Sequence, residues 1–208
     1  MDHVDKTSLH GPSLGNGPAG HGVLVLGGSG SGKSRWAEHL ASTLASTGAS
    51  TSRQPVLYVA TGDATLADAD WQQRLQRHRR RRPANWQTRE CGAALPEALA
   101  ATETAPLRLV DALGSWVSTL LDLEEPAWQA RVERLLTCIP PQQGCTILVS
   151  DEVSWGVVPA LASGYRFRER LARLNRRVAQ RCRNHWLVVA GRAVDLTRWS
   201  QPVPDCQA

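Results

Sequence analysis

Short apolar runs alternate with longer segments of helical character along most of the chain. The apolar runs lie at 23–26, 56–60, 107–111, 145–150 and 186–190. The segments predicted to be helical lie at about 33–44, 64–82, 113–123, 127–138 and 166–183. Short continuous apolar runs between helices are typical of parallel strands that are covered on both faces. The pattern therefore predicts an α/β fold with a mainly parallel β-sheet and helices on both faces.

The two ends of the chain depart from this alternation. Residues 1–21 are rich in Gly, Pro, Ser and His and predict a disordered extension. We expect one domain over residues 22–197 and a C-terminal tail over 198–208. No apolar run approaches the roughly 20 residues that span a membrane, and the N-terminus lacks the apolar stretch of a secretory signal. A cytoplasmic protein is therefore expected.

The composition favours one broad class of ligand but does not identify the ligand. Of the 24 basic residues only Lys6 and Lys33 are lysines, and the formal net charge is +5. Arginine is the better bidentate partner for phosphate, so an anionic ligand is favoured, either a nucleotide or a nucleic acid. The five cysteines are scattered and include no CxxC pair. That distribution argues against a disulfide framework and against a zinc site.

Residues 27–34 match the phosphate-loop pattern GxxxxGK[ST] in full, between a predicted strand and a predicted helix. Backbone N–H groups of such a loop surround phosphate oxygens, and the helix N-terminus adds a favourable dipole. Lys33 is expected to reach the β- and γ-phosphates, and the Ser34 hydroxyl to ligate Mg²⁺. The motif predicts a P-loop NTPase-like site. Its expected nucleotide contacts are Gly27, Gly28, Ser29, Gly30, Ser31, Gly32, Lys33 and Ser34.

A carboxylate should complete the Mg²⁺ shell, and two predicted strand ends offer one. Asp111 ends the run at 107–111, and Asp151 with Glu152 follows the run at 145–150. From the pattern alone the second strand end looks at least as good as the first. Either acid could instead be a helix N-cap or a turn residue.

A histidine lies within an arginine run, with six arginines in the nine residues 74–82. Arg74, His78 and Arg82 are spaced i, i+4, i+8 and would share one face of a helix. A neutral imidazole beside bound phosphate could attack an α-phosphate and form a covalent phosphoramidate. The same run could also be a solvated basic face or a patch for nucleic acid.

Several motifs occur together and in one order along the chain. They are GGSGSGKS at 27–34, YVAT at 58–61, RxxxHxxxRP from Arg74 to Pro83, WQTRE at 86–90, DEVSWGVVP at 151–159 and WLVVAG at 186–191. In these the sequence resembles the bifunctional adenosylcobinamide kinase / adenosylcobinamide-phosphate guanylyltransferase family of cobalamin biosynthesis, over about residues 22–195. The phosphate loop is not specific to that family, but RxxxHxxxRP together with DEVSWGVVP is.

The resemblance implies two reactions. ATP or GTP first phosphorylates adenosylcobinamide. His78 then takes GMP from GTP and passes it to adenosylcobinamide phosphate, which yields adenosylcobinamide-GDP. His78 and Lys33 are thereby implied as catalytic residues, and Ser34 and Asp111 as the Mg²⁺ site. Further implied nucleotide contacts are Ala60, Thr61, Gly62, Arg79, Arg80, Arg81, Arg82, Glu90 and Asp111.

The resemblance also implies a corrinoid substrate and a homotrimer, with no nucleic-acid partner and no membrane span. The chain departs from the family pattern at several positions, among them Glu169 in place of Asp and Arg176 in place of Gln. Cys, Thr, Asn, Asn and Gly of the family are replaced here by Ala112, Gly114, Thr119, Asp151 and Ser154. Two alternatives remain, a kinase without the transferase step and a P-loop protein that clamps nucleic acid with the arginine run. The helical spacing around His78 favours the bifunctional enzyme over the clamp.

Overall fold

A computed structural model describes residues 21–47, 54–62, 73, 76, 78–102, 107–139 and 144–204. The strands are β1 His21–Gly27, β2 Val56–Ala60, β3 Gln87–Glu90, β4 Leu107–Asp111, β5 Cys145–Asp151, β6 Asn184–Val189 and β7 Arg192–Asp195. The helices are α1 Lys33–Thr47, α2 Leu95–Ala100, α3 Leu113–Thr119, α4 Glu125–Thr137, α5 Ala162–Ala179 and α6 Leu196–Trp199, with a 3₁₀ turn at Gly92–Ala94. Residues 78–81 are also helical.

The strands form one sheet in the order β3-β2-β4-β5-β1-β6-β7. Every described pairing is parallel except that of β6 with β7. This confirms the predicted α/β class and the mainly parallel sheet. The phosphate-loop strand β1 lies between β5 and β6, so it is buried on both sides within the sheet.

Side chains alternate between the two faces of β1, as the strand period requires. Val23 and Val25 pack with Leu40 of α1 in one hydrophobic cluster. Leu24 packs on the opposite face, in a second cluster that contains Trp116 of α3 and residues of α2, α4 and α5. The continuous apolar runs of the sequence are thus explained by helices on both faces.

The strands predicted from apolar runs are all present: β2 and β4 have the predicted bounds, and the ends of the other three differ by at most two residues. The edge strands β3 and β7 were not predicted, because their sequences QTRE and RAVD carry no apolar run and β3 is exposed throughout. The predicted helix at 113–123 was too long, since α3 ends at Thr119. The predicted helix at 166–183 was shifted, since α5 spans Ala162–Ala179.

Some predictions fall partly outside the described residues. Of the predicted helix at 64–82, residues 73, 76 and 78–81 are helical, and Arg74 is not among the described residues. β1 begins at His21 and α6 continues through residue 198, so both predicted domain boundaries lie within secondary structure. The division of the chain stays a prediction. In the part of the chain that the structure describes, no helix has the length and apolar character of a membrane span.

The parallel strands carry their C-terminal residues to one edge of the sheet. Gly27 of β1 lies opposite Asp151 of β5, and Ala60 of β2 lies opposite Asp111 of β4. Ligands of open α/β sheets bind at this edge. The fold therefore brings the phosphate loop and both candidate acids to the same place.

A buried arginine joins β4 to its neighbours below this edge. Arg108 is 1% exposed. Its guanidinium donates twice to the Thr146 hydroxyl, at 2.7 and 2.9 Å, and also to the carbonyls of Leu99 and Cys138. These bonds offset the cost of removing the guanidinium from water and fix β4 beside β5.

Thr146→Val keeps the shape of the side chain and removes the acceptor for two of these hydrogen bonds. We expect the free energy of unfolding to fall by about 1–3 kcal/mol, because the buried guanidinium of Arg108 loses two hydrogen bonds. Urea denaturation measures this. The control Thr119→Val, at an exposed position, should change it by less than about 0.5 kcal/mol. Equal losses of stability in the two variants would contradict the role of the Arg108–Thr146 hydrogen bonds.

Candidate active site

The phosphate loop connects β1 to α1 and depends on glycine at two kinds of position. A Cβ at Gly27 would lie 2.5 Å from both Ser31 Oγ and the Val188 carbonyl oxygen, so no larger residue fits. Gly30 and Gly32 have φ angles of +72° and +97°, which side chains disfavour. The loop can therefore curl tightly between strand and helix, as a phosphate cradle requires.

Lys33 is the first residue of α1 and is only 4% exposed. Its Nζ donates to the Gly28 carbonyl at 3.2 Å and lies 2.6 Å from Asp151 Oδ1. An ammonium removed from water needs an opposite charge, and Asp151 supplies it here. The acid that ends β5 thus pairs with the lysine of the phosphate loop.

Asp111, the acid that ends β4, binds three donors. Its Oδ1 accepts from Ser34 Oγ at 3.1 Å, and its Oδ2 accepts from the Tyr58 hydroxyl at 2.6 Å. The same Oδ2 lies 3.3 Å from Nδ1 of His78. Burial alone would raise the pKa of the Asp111 carboxyl, but the bonds from His78, Tyr58 and Ser34 hold that pKa below its usual value. Asp111 is therefore a carboxylate, and it links the phosphate-loop serine to the histidine.

The two acids that the sequence left open have different partners. Asp111 binds Ser34, and Asp151 binds Lys33. The Glu152 side chain binds Ser154 instead, since its Oε1 accepts from the backbone N–H and the hydroxyl of that residue. This geometry favours Asp111 as the carboxylate of a Mg²⁺ shell that also contains the Ser34 hydroxyl.

Three arginines of the run, Arg79, Arg81 and Arg82, contact other side chains of the protein. Arg79 pairs with Glu90 at 2.5 Å, and Arg81 pairs with Glu38 of α1 at 3.2 Å. These two ion pairs tie the helical segment 78–81 to β3 and α1. The segment is thereby held where His78 can reach Asp111.

Arg82 is held in a different way. Its Cζ lies 3.5 Å from the centroid of the Tyr58 ring, and its Nη1 donates to Thr88 Oγ1 at 3.3 Å. A guanidinium over an aromatic face gains a cation–π attraction. Arg80 is exposed, as are Arg79 and Arg81.

One pocket of about 150 Å³ collects eight of the eighteen predicted site residues. It is lined by Ser29, Lys33, Ser34, Tyr58, Ala60, Gly62, His78, Arg82, Asp111, Ala112, Ser115 and Asp151. A neighbouring pocket of about 440 Å³ shares the loop and His78 and adds Gly30, Gly32, Arg35 and Arg81. Histidine, lysine, serine and carboxylate thus meet at the carboxyl edge of the sheet.

Thr61 and Glu90, two of the predicted nucleotide contacts, line neither of these pockets. The Thr61 side chain is fully buried, where it donates to the Ala112 carbonyl and accepts from the Ala112 N–H. Glu90 lies beside Arg79 rather than in the pocket. Sequence reasoning did not identify Tyr58, whose only signal was a polar hydroxyl inside an otherwise apolar strand.

Gly114 of α3 makes room for the Asp151 carboxylate. A Cβ at this position would lie 2.5 Å from Asp151 Oδ2. Asn175 of α5 secures the same strand end, since its Nδ2 donates to the Asp151 carbonyl and its Oδ1 accepts from Ser150 Oγ. The position of Asp151 is therefore set by neighbours on two helices.

The donor set suits magnesium better than a metal held by protein alone. Among the described residues, no group of three or more His, Cys, Asp or Glu side chains could hold a metal ion. Mg²⁺ usually takes one or two protein oxygens and completes its shell with phosphates and water. Ser34 and Asp111 fit that pattern.

Comparison with known proteins identifies the family of this site. The family model described as CobU, cobinamide kinase / cobinamide phosphate guanyltransferase, matches residues 23–196. The bifunctional adenosylcobalamin biosynthesis protein CobP of Pseudomonas aeruginosa is 38% identical over 174 residues, which cover 81% of this chain and 92% of that protein.

Two further relatives carry the name bifunctional adenosylcobalamin biosynthesis protein CobU. The one from Salmonella typhimurium is 33% identical over 190 residues, covering 84% of this chain and 98% of that protein. The one from Escherichia coli is 30% identical over 189 residues, with the same coverage. Among solved structures, the KaiC-like protein PH0186 of Pyrococcus horikoshii aligns with a TM-score of 0.45 and 17% identity, over 82% of this chain and 71% of that one.

Gly114→Ala tests the close approach of α3 to Asp151. The new methyl group would displace the carboxylate from Lys33, so the buried ammonium loses its opposite charge. We expect the free energy of unfolding without nucleotide to fall by about 1–3 kcal/mol, and GTP to restore part of it by pairing with Lys33. Urea denaturation with and without GTP measures both effects.

Gly156→Ala is the matched control, because a Cβ there would meet its nearest atom at an ordinary 3.7 Å. This variant should unfold like the wild type in both conditions. If Gly114→Ala did so as well, the packing of Asp151 against Gly114 would be refuted.

Asp111→Asn tests the charge of the central carboxylate in metal-free protein with EDTA. The folded pKa of Asp111 lies below the ordinary 3.8, so its charge adds stability above about pH 4 and loses that contribution as the pH falls through the folded value. We expect the stability gap between wild type and Asp111→Asn to be wider at pH 7 than at pH 3. Denaturation curves at both pH values measure the gap. Asp122→Asn, at an exposed position, is the control. A stability gap between wild type and Asp111→Asn that is the same at both pH values would argue against an ionised Asp111.

Proposed function

The chain belongs to the cobinamide kinase / cobinamide phosphate guanyltransferase family, and we propose that it carries out both reactions of that description. In the first it transfers the γ-phosphoryl group of ATP or GTP to the hydroxyl of adenosylcobinamide. In the second it transfers GMP from GTP to the resulting phosphate, through His78, and yields adenosylcobinamide-GDP. The observation that carries the proposal is His78 against Asp111 in the pocket that also holds Lys33 and Ser34.

In the kinase step, the corrinoid hydroxyl oxygen forms a bond to the γ-phosphorus and gives up its proton to water. The bond from that phosphorus to the β–γ bridging oxygen breaks, and the nucleoside diphosphate leaves. Lys33 and the N–H groups of the loop bind the β- and γ-phosphates. Ser34 and Asp111 would hold Mg²⁺, which would spread the negative charge of the phosphates. For Lys33 to serve, its ammonium must share or give up its contact with Asp151.

In the transferase step, the orientation of His78 selects the attacking atom. Nδ1 faces the Asp111 carboxylate, which can only accept a proton, so Nε2 keeps its lone pair. Nε2 bonds to the α-phosphorus of GTP, and the bridging oxygen leaves with pyrophosphate. Asp111 stabilises the positive charge that the ring gains, as a carboxylate does beside a catalytic histidine.

The second half of the transfer restores the histidine. A phosphate oxygen of the corrinoid attacks the GMP phosphorus, and the N–P bond breaks with its electron pair returning to Nε2. Arg82 lines the pocket, and Arg81 lines the neighbouring one, so both lie where negative charge is transferred.

The partners of the arginines favour this enzyme over a nucleic-acid clamp. Arg79, Arg81 and Arg82 are engaged with Glu90, Glu38 and Tyr58. Guanidiniums that are already paired contribute less to a phosphate-backbone contact, which relies on free charges. The run is therefore better explained as a support for His78.

We place the reactions in the cytoplasm and expect a homotrimer. Support for an assembly comes from a segment that exposes large apolar side chains after β5. Trp155, Val157 and Val158 are each more than half exposed, as is Leu161. Exposed apolar surface of this kind often marks a contact between protein chains.

Incubation with Mg²⁺ and GTP labelled in the α-phosphate tests the transferase reaction. The wild type should become covalently labelled, and the label should be lost in acid and retained in base, as expected for a phosphoramidate. His78→Ala should carry no label. The control His39→Ala, at an exposed position on α1, should be labelled like the wild type.

The same experiment separates the two enzymatic alternatives. If the wild type remained unlabelled but still transferred the γ-phosphoryl group to adenosylcobinamide, the chain would be a kinase only. Label that persists in His78→Ala would show that another residue is the nucleophile.

A further inference from the structure

Tyr58 lies in the middle of β2 and is 1% exposed, yet its hydroxyl and its ring both contact the active site. A tyrosine buried for its apolar area alone needs only some acceptor for its hydroxyl. Here the acceptor is the carboxylate of Asp111, and the ring face is covered by Arg82. Tyr58 therefore touches two residues to which the proposed mechanism gives separate tasks.

The Tyr58 hydroxyl fixes the orientation of the Asp111 carboxylate. Tyr58 donates to Oδ2 at 2.6 Å, the same oxygen that lies 3.3 Å from His78 Nδ1. Ser34 occupies the other oxygen, Oδ1. With one donor fixed on each oxygen, the carboxylate cannot rotate without breaking a hydrogen bond. Oδ2 is thus kept available to the imidazole.

The ring determines where the Arg82 guanidinium lies. The 3.5 Å distance from Cζ to the ring centroid is a close stacking contact, and Thr88 fixes the orientation of the guanidinium within it. Trp86 lies beside the ring, with its centroid 6.5 Å away. Arg82 is consequently held at the wall of the pocket that contains His78.

We propose that Tyr58 is a positioning residue for guanylyl transfer, and the proposal rests on the function proposed above. Its hydroxyl, acting through Asp111, holds neutral His78 in the tautomer with hydrogen on Nδ1, which leaves Nε2 free to attack. Its ring holds Arg82 against the phosphates that leave. One side chain thereby aligns the nucleophile and a stabilising charge in the same pocket.

Two variants separate the hydroxyl from the ring. Tyr58→Phe removes the hydroxyl and keeps the platform for Arg82. Tyr58→Leu removes both. Tyr165 is the other tyrosine of the chain and is half exposed, outside both pockets of the active site. Tyr165→Phe is therefore the matched control, and urea denaturation of each variant identifies any loss of folding.

Single-turnover labelling of His78 measures the effect on the reaction. For Tyr58→Phe we expect the maximal labelling rate to fall about 10- to 100-fold, as when the residue that supports an active-site ligand is removed. The GTP concentration at half-maximal rate should stay unchanged, because Arg82 keeps its platform. Tyr58→Leu should show the same fall in rate and should also need more GTP.

Nuclear magnetic resonance of nucleotide-free, metal-free protein measures the tautomer of His78 directly. The ¹⁵N shifts of neutral His78 should report the Nδ1–H tautomer in the wild type and in Tyr165→Phe. In Tyr58→Phe they should report a mixture of both tautomers. This readout depends on the position of Asp111 and not on any activity.

A Tyr58→Phe protein that keeps the wild-type tautomer and labelling rate would overturn the proposal. So would a fall in rate that is matched by an equal loss of GTP binding, since that is the result expected of a purely structural tyrosine. If the wild type itself were not labelled, the proposed transferase function would fail. The tautomer comparison would then still decide whether Tyr58 orients His78.

Discussion

The geometry of the active site depends on the carboxylate of Asp111, where three hydrogen-bond donors from three separate parts of the chain converge. Ser34 comes from the phosphate loop, Tyr58 from β2 and His78 from the arginine-rich segment. None of these parts is close to another in sequence. Each contact strengthens the charged form of the carboxylate, which in turn favours the others. The phosphate loop and His78 are therefore parts of one network rather than two adjacent sites.

The sequence was most informative where structure is determined locally. The phosphate loop with Lys33 and Ser34 could be recognised because its glycines, lysine and helix start are consecutive. The central strands could be predicted because burial on both faces makes them apolar throughout. The edge strand β3 could not, because its residues are exposed and polar and its place is set by pairing with β2. The same limit applies to the partners of the two strand-end acids, which depend on which side chains the sheet brings opposite them.

The arginine run shows how composition alone misleads about electrostatics. In sequence it is a concentrated positive charge that predicts an anionic ligand. In the fold, Glu38 and Glu90 neutralise two of its members, and Tyr58 receives a third on its aromatic face. The charge that a ligand meets is thus smaller than the count of arginines indicates. What the run contributes above all is a rigid attachment for His78, made by elements on both sides of the pocket.

Because Gly114 contacts Asp151, the residues at these two positions should change together, although they are distant in sequence. A side chain at 114 and a carboxylate beside Lys33 at 151 compete for one small volume. A descendant of this chain that acquired a β-carbon at 114 would have to release the lysine partner, and one that lost the acid would no longer need the glycine. Across related sequences, residue 114 should therefore indicate whether the phosphate-loop lysine has an acidic neighbour at position 151.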